Sequence, residues 1–205
     1  MKYADCKFHR VAVFAGALVA ATFTLGGCQI LTSSKTNASS AATAEIPPAA
    51  ETAFANAVAA QRAQQWADAE QQFQQLAEKY PQLSGPQLNL ALLYAQTQKP
   101  ELAETHFKRA MQINPANLAI YDQYGIWLRG QARFTEAETI YQQALARDAN
   151  RPDTHLNLAI LYDIYMGKLP QALEHYQRYL ELTHDEKSPV QGWVTELQRR
   201  MKAAG

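Results

Sequence analysis

The chain has 205 residues with 19 Lys+Arg against 19 Asp+Glu, a balance that excludes the positive field needed to draw nucleic-acid phosphates. Hydrophobic residues make up 47% while Gly and Pro number nine each, which excludes a collagen-like or wholly disordered chain and leaves a packed globular domain.

The first element is an apolar run from Val11 to Leu25, without a charge, preceded by Lys2, Lys7 and Arg10. This order of a positive stretch and a short apolar stretch reads as an export signal. A spanning helix needs about 20 apolar residues, and here Gly26, Gly27, Cys28 and Gln29 end the run. Leu25-Gly26-Gly27-Cys28 resembles the lipobox of bacterial lipoproteins, with a branched aliphatic residue three before the cysteine and a small residue just before it. The resemblance implies that residues 1–27 are a signal peptide, that cleavage precedes Cys28, and that Cys28 is acylated and tethers the rest of the chain to a membrane. Because one acyl chain anchors only weakly, the multiply acylated cysteine of this class is the durable form. In such lipoproteins an Asp after the cysteine signals retention in the inner membrane. Gln29 stands there instead, so the expected location is the inner leaflet of the outer membrane, facing the periplasm. The alternative is an uncleaved anchor with an ordinary Cys28, which also places the domain outside the cytoplasm. Cys6 falls in the part removed by cleavage, so the mature chain has no second thiol for a disulfide.

Residues 28–50 follow as a lipidated cysteine and a tether of Ser, Thr, Ala and Asn that closes with Pro47-Pro48. That composition buries too little apolar surface to order itself. A folded part held on such a tether samples nearby partners at raised effective concentration.

From residue 51 a fixed period governs the chain. Ala69, Ala103 and Ala137 recur every 34 residues and Ala172 follows at 35. Phe73, Phe107, Tyr141 and Tyr176 each lie four residues later, which puts the pair on one helix face. Pro81 and Pro115 close the first two units. The order of small, aromatic and proline positions resembles the tetratricopeptide repeat, in which each unit is a helix-turn-helix pair. The resemblance implies an all-α, right-handed superhelical stack of about four helix pairs over 51–188, with units at about 50–83, 84–117, 118–151 and 152–187. The second unit carries it best, with Leu90, Ala91, Tyr94, Ala103, Phe107, Ala110 and Pro115. The third has Ala149 where the closing proline belongs, and the fourth has one extra residue, assigned to its turn, before Ala172. The first unit opens on an alanine- and glutamine-rich helix with small residues at Ala53, Asn56 and Ala60. Small residues let paired helices approach while aromatics fill the space beside them, and each unit needs its neighbours to bury that face.

Local signals place the helix starts. Pro100 and Pro170 sit where helices begin, Thr135 with Glu138 reads as a capping box, and Ser188 with Gln191 reads as a second one with Pro189 opening the last helix. That helix, 189–205, carries Val190, Trp193, Val194, Leu197 and Met201 on one stripe and caps the open end of the stack. Trp193 is expected to cover the fourth unit.

On the tetratricopeptide pattern the first helices line a concave groove, a surface for a peptide segment or helix of a partner protein. The pattern assigns to it Leu88, Asn89, Leu92 and Gln96, then Asp122, Gln123, Ile126 and Arg129, then Leu156, Asn157, Ile160 and Asp163. Asn89 and Asn157 fall where family members hydrogen-bond a ligand's backbone amide; the plain alternative is a solvated or interhelical asparagine. Cations that grip a C-terminal carboxylate in some relatives are missing, since Phe54, Val58, Leu88, Leu92, Ala119, Gln123 and Asp153 stand there. An apolar or amphipathic segment is therefore the expected ligand.

His106, His155, His175 and His184 show no metal-ligand spacing, and no phosphate loop or nucleophile elbow is present, so no catalytic residue, metal or cofactor is expected. Tyr162, Tyr165, Tyr176 and Tyr179 read as core with one wet edge. The function expected is that of a membrane-anchored, non-catalytic adaptor supporting an envelope complex. The nearest resemblance is to the tetratricopeptide lipoproteins that act as pilotins for type IV pilus secretins, although those carry about six repeats. The alternatives are a recruiter of peptidoglycan-active enzymes and, more distantly, a small-molecule-binding or enzymatic domain. Homo-oligomerisation stays open.

Overall fold

A computed structural model describes residues 46–185 and 187–204. Cys28, the signal segment and most of the tether lie outside the described residues. The first helix, α1 (Pro48–Arg62), begins inside the stretch assigned to the tether, because Pro48 occupies its first turn, where a missing N–H costs nothing. α2 (Trp66–Lys79) folds back on it. The next pairs are α3 (Ser84–Gln96) with α4 (Pro100–Ile113), and α5 (Leu118–Gly130) with α6 (Phe134–Arg147). The fourth pair is α7 (Pro152–Ile160), continued by a π-helical turn over Leu161–Met166, with α8 (Leu169–Thr183). α9 (Val190–Ala204) packs on α8. Each second helix packs on the first helix of the next unit, and α5 touches α7 directly. The result is a superhelical stack in which the first helices form the inner row of the tetratricopeptide arrangement.

The core follows the period. Ala69, Ala103, Ala137 and Ala172 are fully buried, as are the rings of Phe73, Phe107 and Tyr141, with Tyr176 nearly so. The closest approach is in the third unit. A Cβ at Gly125 would lie 2.4 Å from Cε1 of Tyr141, so only glycine allows α5 to lie this close to the ring. Trp193 packs edge-on against Tyr176 at 5.8 Å between ring centroids, covering the fourth unit.

The turn inside each unit has one geometry. Gln64, Gln98, Ala132 and Gly167 all take a left-handed backbone with φ between 58° and 64°, which lets the chain end the first helix and enter the second. The following amide reaches back to a carbonyl in the last turn of the helix: Lys99 to Tyr94 at 2.9 Å and Arg133 to Leu128 at 3.0 Å. Only the fourth unit uses glycine. Its extra residue is not in the turn, as its spacing predicts, but in the helix before it, where the chain widens into the π-helical turn and the Lys168 amide reaches back one residue further, to Tyr162.

Two helix-start expectations change. α6 begins at Phe134 with Arg133 before it and no side-chain cap, so Thr135 and Glu138 form no capping box. The Glu138 carboxylate instead accepts from Tyr162 Oη at 2.8 Å and Lys168 Nζ at 2.9 Å in the next unit. At α9 the Ser188 hydroxyl accepts from the Val190 amide at 3.3 Å and not from that of Gln191, so it caps the helix without the expected box, and the helix starts one residue after Pro189.

The Glu138 bond belongs to a repeating inter-unit link. Glu70 accepts from Tyr94 Oη at 2.8 Å and pairs with Lys99 at 3.3 Å. Glu104 accepts from Tyr124 Oη at 3.2 Å and holds Arg133 through two N–H groups at 2.6 and 3.0 Å. The Arg133 hydrogen bonds hold the Glu104 carboxyl down to about 2, while burial, reinforced by Glu138, pushes the Tyr162 hydroxyl up to about 12.

Candidate partner-binding groove

The inner row is built from the half-buried side chains of the first helices. Leu88, Leu92, Ile126, Leu156 and Ile160 each rest one flank on the core and leave the other uncovered, because their helices present one face to α2, α4 or α6 and the opposite face inward. Asn89, Gln123 and Asn157 sit half-buried among them, and Gln96 is exposed. The amide nitrogen of Asn89 donates to the Gly85 carbonyl one turn earlier at 2.9 Å.

Two predicted groove residues are not available in that role. Asp122 is only 6% exposed. Its carboxylate accepts from Arg151 Nη2 and Thr154 Oγ1, both at 2.6 Å, and ties α5 to the start of α7. Burial pushes this carboxyl above its ordinary value, opposed by the Thr154 and Arg151 hydrogen bonds. Asp163, on the π-helical turn, is engaged by Arg200 of α9 and by Tyr176 Oη at 3.4 Å. Both acids therefore fasten the stack and are withdrawn from ligand contact.

Arg129 is in the predicted row and has a different status. Its guanidinium carbon lies 5.8 Å from the ring centroid of Tyr165, and its Nη1 is buried with no hydrogen-bond partner among the described residues. Tyr165 and Ile164 project from the π-helical turn at 46% and 47% exposure, and the Tyr165 ring also meets Phe134 at 5.1 Å. The tyrosine cluster thus divides: Tyr162 and Tyr176 are core, Tyr179 is half-buried and Tyr165 is the wet edge. Sequence reading missed this corner, although the 35-residue spacing in the fourth unit was the signal for the irregular turn that creates it.

Away from the inner row, an open cleft of about 550 Å³ runs between α4 and α6, floored by Met111, Tyr121 and Ile140. Arg147 stacks over the Tyr121 ring there at 4.8 Å. His155 and His175 meet at 2.8 Å between Nδ1 atoms. Because His155 Nε2 lies 3.0 Å from the Ala149 carbonyl and must donate to it, its Nδ1 is the acceptor and His175 carries the shared proton. Burial lowers the His175 pKa, and the neighbouring His155 lowers it further. Among the described residues no group of three metal-ligating side chains occurs, and no helix is long and apolar enough to cross a membrane.

Comparison with known proteins agrees with this architecture. Models of the tetratricopeptide repeat match residues 57–82, 83–150 and 128–189. No curated protein sequence matches the chain. Among solved structures, pilF of Pseudomonas aeruginosa superposes with a TM-score of 0.66 at 21% identity, over 76% of this chain and 70% of that one. PilW, described as a widely conserved type IV pilus biogenesis factor, gives 0.61 at 21% identity over 71% of this chain and 66% of that one. YrrB, described as having an unusual peptide-binding site, gives 0.55 at 18% identity over 67% and 71%. At these identities the likeness is one of fold.

Proposed function

Because the chain belongs to the tetratricopeptide repeat family, we propose that it is a non-catalytic adaptor, lipid-anchored through Cys28 at the periplasmic face of the outer membrane, that holds a segment of a protein partner along its inner row. The observation that carries this reading is the line of half-buried aliphatic side chains, Leu88, Leu92, Ile126, Leu156 and Ile160, interleaved with the amides of Asn89, Gln123 and Asn157. Such a surface offers an apolar strip for side chains and paired donors and acceptors for a backbone. The likeness in fold to pilF and PilW favours pilus or secretin assembly as the process served.

The reading is tested by cross-linking the protein in intact cells and identifying what is captured. A Cys28→Ala control should lose the anchor, and an Asn157→Ala, Ile126→Ala pair should weaken capture while leaving the helical spectrum intact. Capture of a secretin or pilus component supports pilus assembly, and capture of wall enzymes replaces it with a recruiting scaffold. Capture unchanged in the groove variant would sink the inner row as the binding surface.

A further inference from the structure

Arg129 is a charge the fold leaves without an acidic partner among the described residues. Its guanidinium cannot deprotonate, it is half-buried at the end of α5, and it makes no ion pair or side-chain hydrogen bond among the described residues. Three other arginines are matched to acids. Arg133 grips Glu104 and Glu136, Arg151 grips Asp122, and Arg200 grips Asp163. Asp163 lies on the same π-helical turn as Tyr165 yet is held by α9 and not by Arg129. A buried N–H without an acceptor is costly to keep, so its acceptor is expected from outside the chain.

The surroundings say which kind of acceptor. The Tyr141 hydroxyl is buried, also without a partner, and close enough for the Arg129 charge to act on it. Beside this polar pair stands the Tyr165 ring, 5.8 Å from the Arg129 guanidinium carbon, with Ile164 preceding it on the π-helical turn, and both are among the most exposed large apolar side chains of the described residues. Gly130, the next residue along α5, has open space where a side chain would be. The corner thus combines a fixed positive charge, an apolar shelf and room for a chain to pass.

Resting on the adaptor reading, we propose that Arg129 and the Ile164–Tyr165 shelf form a recognition site for an acidic side chain carried next to an aliphatic or aromatic residue in the partner segment. The carboxylate takes the unpaired Arg129 Nη1 in a charge-assisted hydrogen bond, and the neighbouring apolar residue covers Ile164 and the Tyr165 ring. Tyr165 reaches the arginine from the π-helical turn that the extra residue of the fourth unit creates.

The test selects binders to the full chain in detergent from a phage-displayed random peptide library. Selected sequences are resynthesised with a free C-terminus and with a C-terminal amide, the amidated peptides each in an Asp/Glu form and in the matching Asn/Gln form. The expected result is an acidic residue in the selected sequences, a loss of affinity of about tenfold or more in the amide form, and a similar loss for the acidic form on Arg129→Met. Arg129→Met should leave the melting temperature unchanged or raised, since it removes a buried unpaired donor. A fall of several degrees would assign Arg129 to the scaffold and overturn the inference. Peptides that bind equally in both forms, and lose binding on Ile126→Asp, overturn the acidic site and leave the adaptor reading standing. Loss of binding only when the C-terminus is amidated replaces the side chain with a terminal carboxylate. Selection of no binding peptide at all overturns both.

Discussion

Gly125→Ala and Gly130→Ala are the same substitution in the same helix and should act with opposite sign. At Gly125 the added Cβ would lie 2.4, 2.6 and 2.9 Å from Cε1, Cζ and Cδ1 of Tyr141, whereas carbon atoms rest at about 3.5–4.0 Å. The ring must retreat by about 1 Å, and it has no free side to move into, being fully buried. Overpacking of this kind costs about 1–3 kcal/mol, of which the better helix propensity of alanine returns up to about 1 kcal/mol. The net loss is about 1–2 kcal/mol. At Gly130 nothing stands within 4 Å of the new Cβ, so only the propensity gain remains, reduced because the residue ends the helix. Far-UV circular dichroism during urea and thermal unfolding reads the difference. The two variants should separate by about 2 kcal/mol, or about 4–8 °C in melting temperature for a domain of this size. A Gly125→Ala protein as stable as Gly130→Ala would refute the argument that close approach, and not helix propensity, selects glycine there. In the second and fourth units Ala91 and Ala159 stand at the same repeat position opposite Phe107 and Tyr176, so those helix pairs are already set for a Cβ.

Tyr141→Phe should raise stability by about 1 kcal/mol, since it removes a buried hydroxyl without a protein partner and keeps the ring; a lower melting temperature would mean that the hydroxyl is satisfied. Gln98→Gly and Ala132→Gly should each gain several tenths of a kcal/mol, because a left-handed backbone costs an L-residue about 1–2 kcal/mol and the greater freedom of glycine when unfolded takes back part of it. Gly167→Ala should lose a similar amount at a position with nothing within 4 Å, and equal melting points for all three would defeat the strain argument. Stability should also fall on mild acidification. Burial lowers the pKa of His106, which bonds Gln87, and of His175, which faces His155, against the raising pull of Glu70 and Glu174. The unfolded chain then takes up protons first, so stability is complete above the ordinary histidine value of 6.5 and is lost as pH falls from there through the depressed folded values. Urea midpoints at several pH values should show this slope, and His106→Gln with His175→Gln should flatten it; an unaltered slope would place the titration elsewhere.

The helix pairs were legible because packing repeats itself: a small residue at 69, 103, 137 and 172 and an aromatic four later can only be one buried face seen four times. Helix starts at Pro100 and Pro170 follow from proline's missing donor, whereas the same rule at Pro48 went unread because that residue closes a stretch with the composition of a tether. The fate of the groove acids was not legible, because it depends on partners far along the chain. Asp122 has the spacing of a groove residue, yet Arg151 and Thr154, 29 and 32 residues later, claim it. Asp163 is claimed by Arg200 from a helix that belongs to no repeat. The inter-unit links were present in the sequence as Glu70, Glu104 and Glu138 in step with Lys99, Arg133 and Lys168, but a period in charge also describes a solvated face. Only the tyrosine hydroxyls that complete each link tell the two apart. The turns inside the units hid because Gln64, Gln98 and Ala132 adopt a backbone that usually advertises itself with glycine or asparagine.

The charge links between units are not equal, and this grades their response to salt. Arg133 clasps Glu104 with two N–H groups and Lys168 reaches both oxygens of Glu138, whereas Lys99 meets Glu70 through one contact at 3.3 Å with nearly half its side chain in solvent. An exposed ion pair is screened by added salt, and a more buried one with two contacts much less. Rising ionic strength should therefore slacken the charge link from the first unit to the second before the later two, while the helix packing across all three junctions stays as it is.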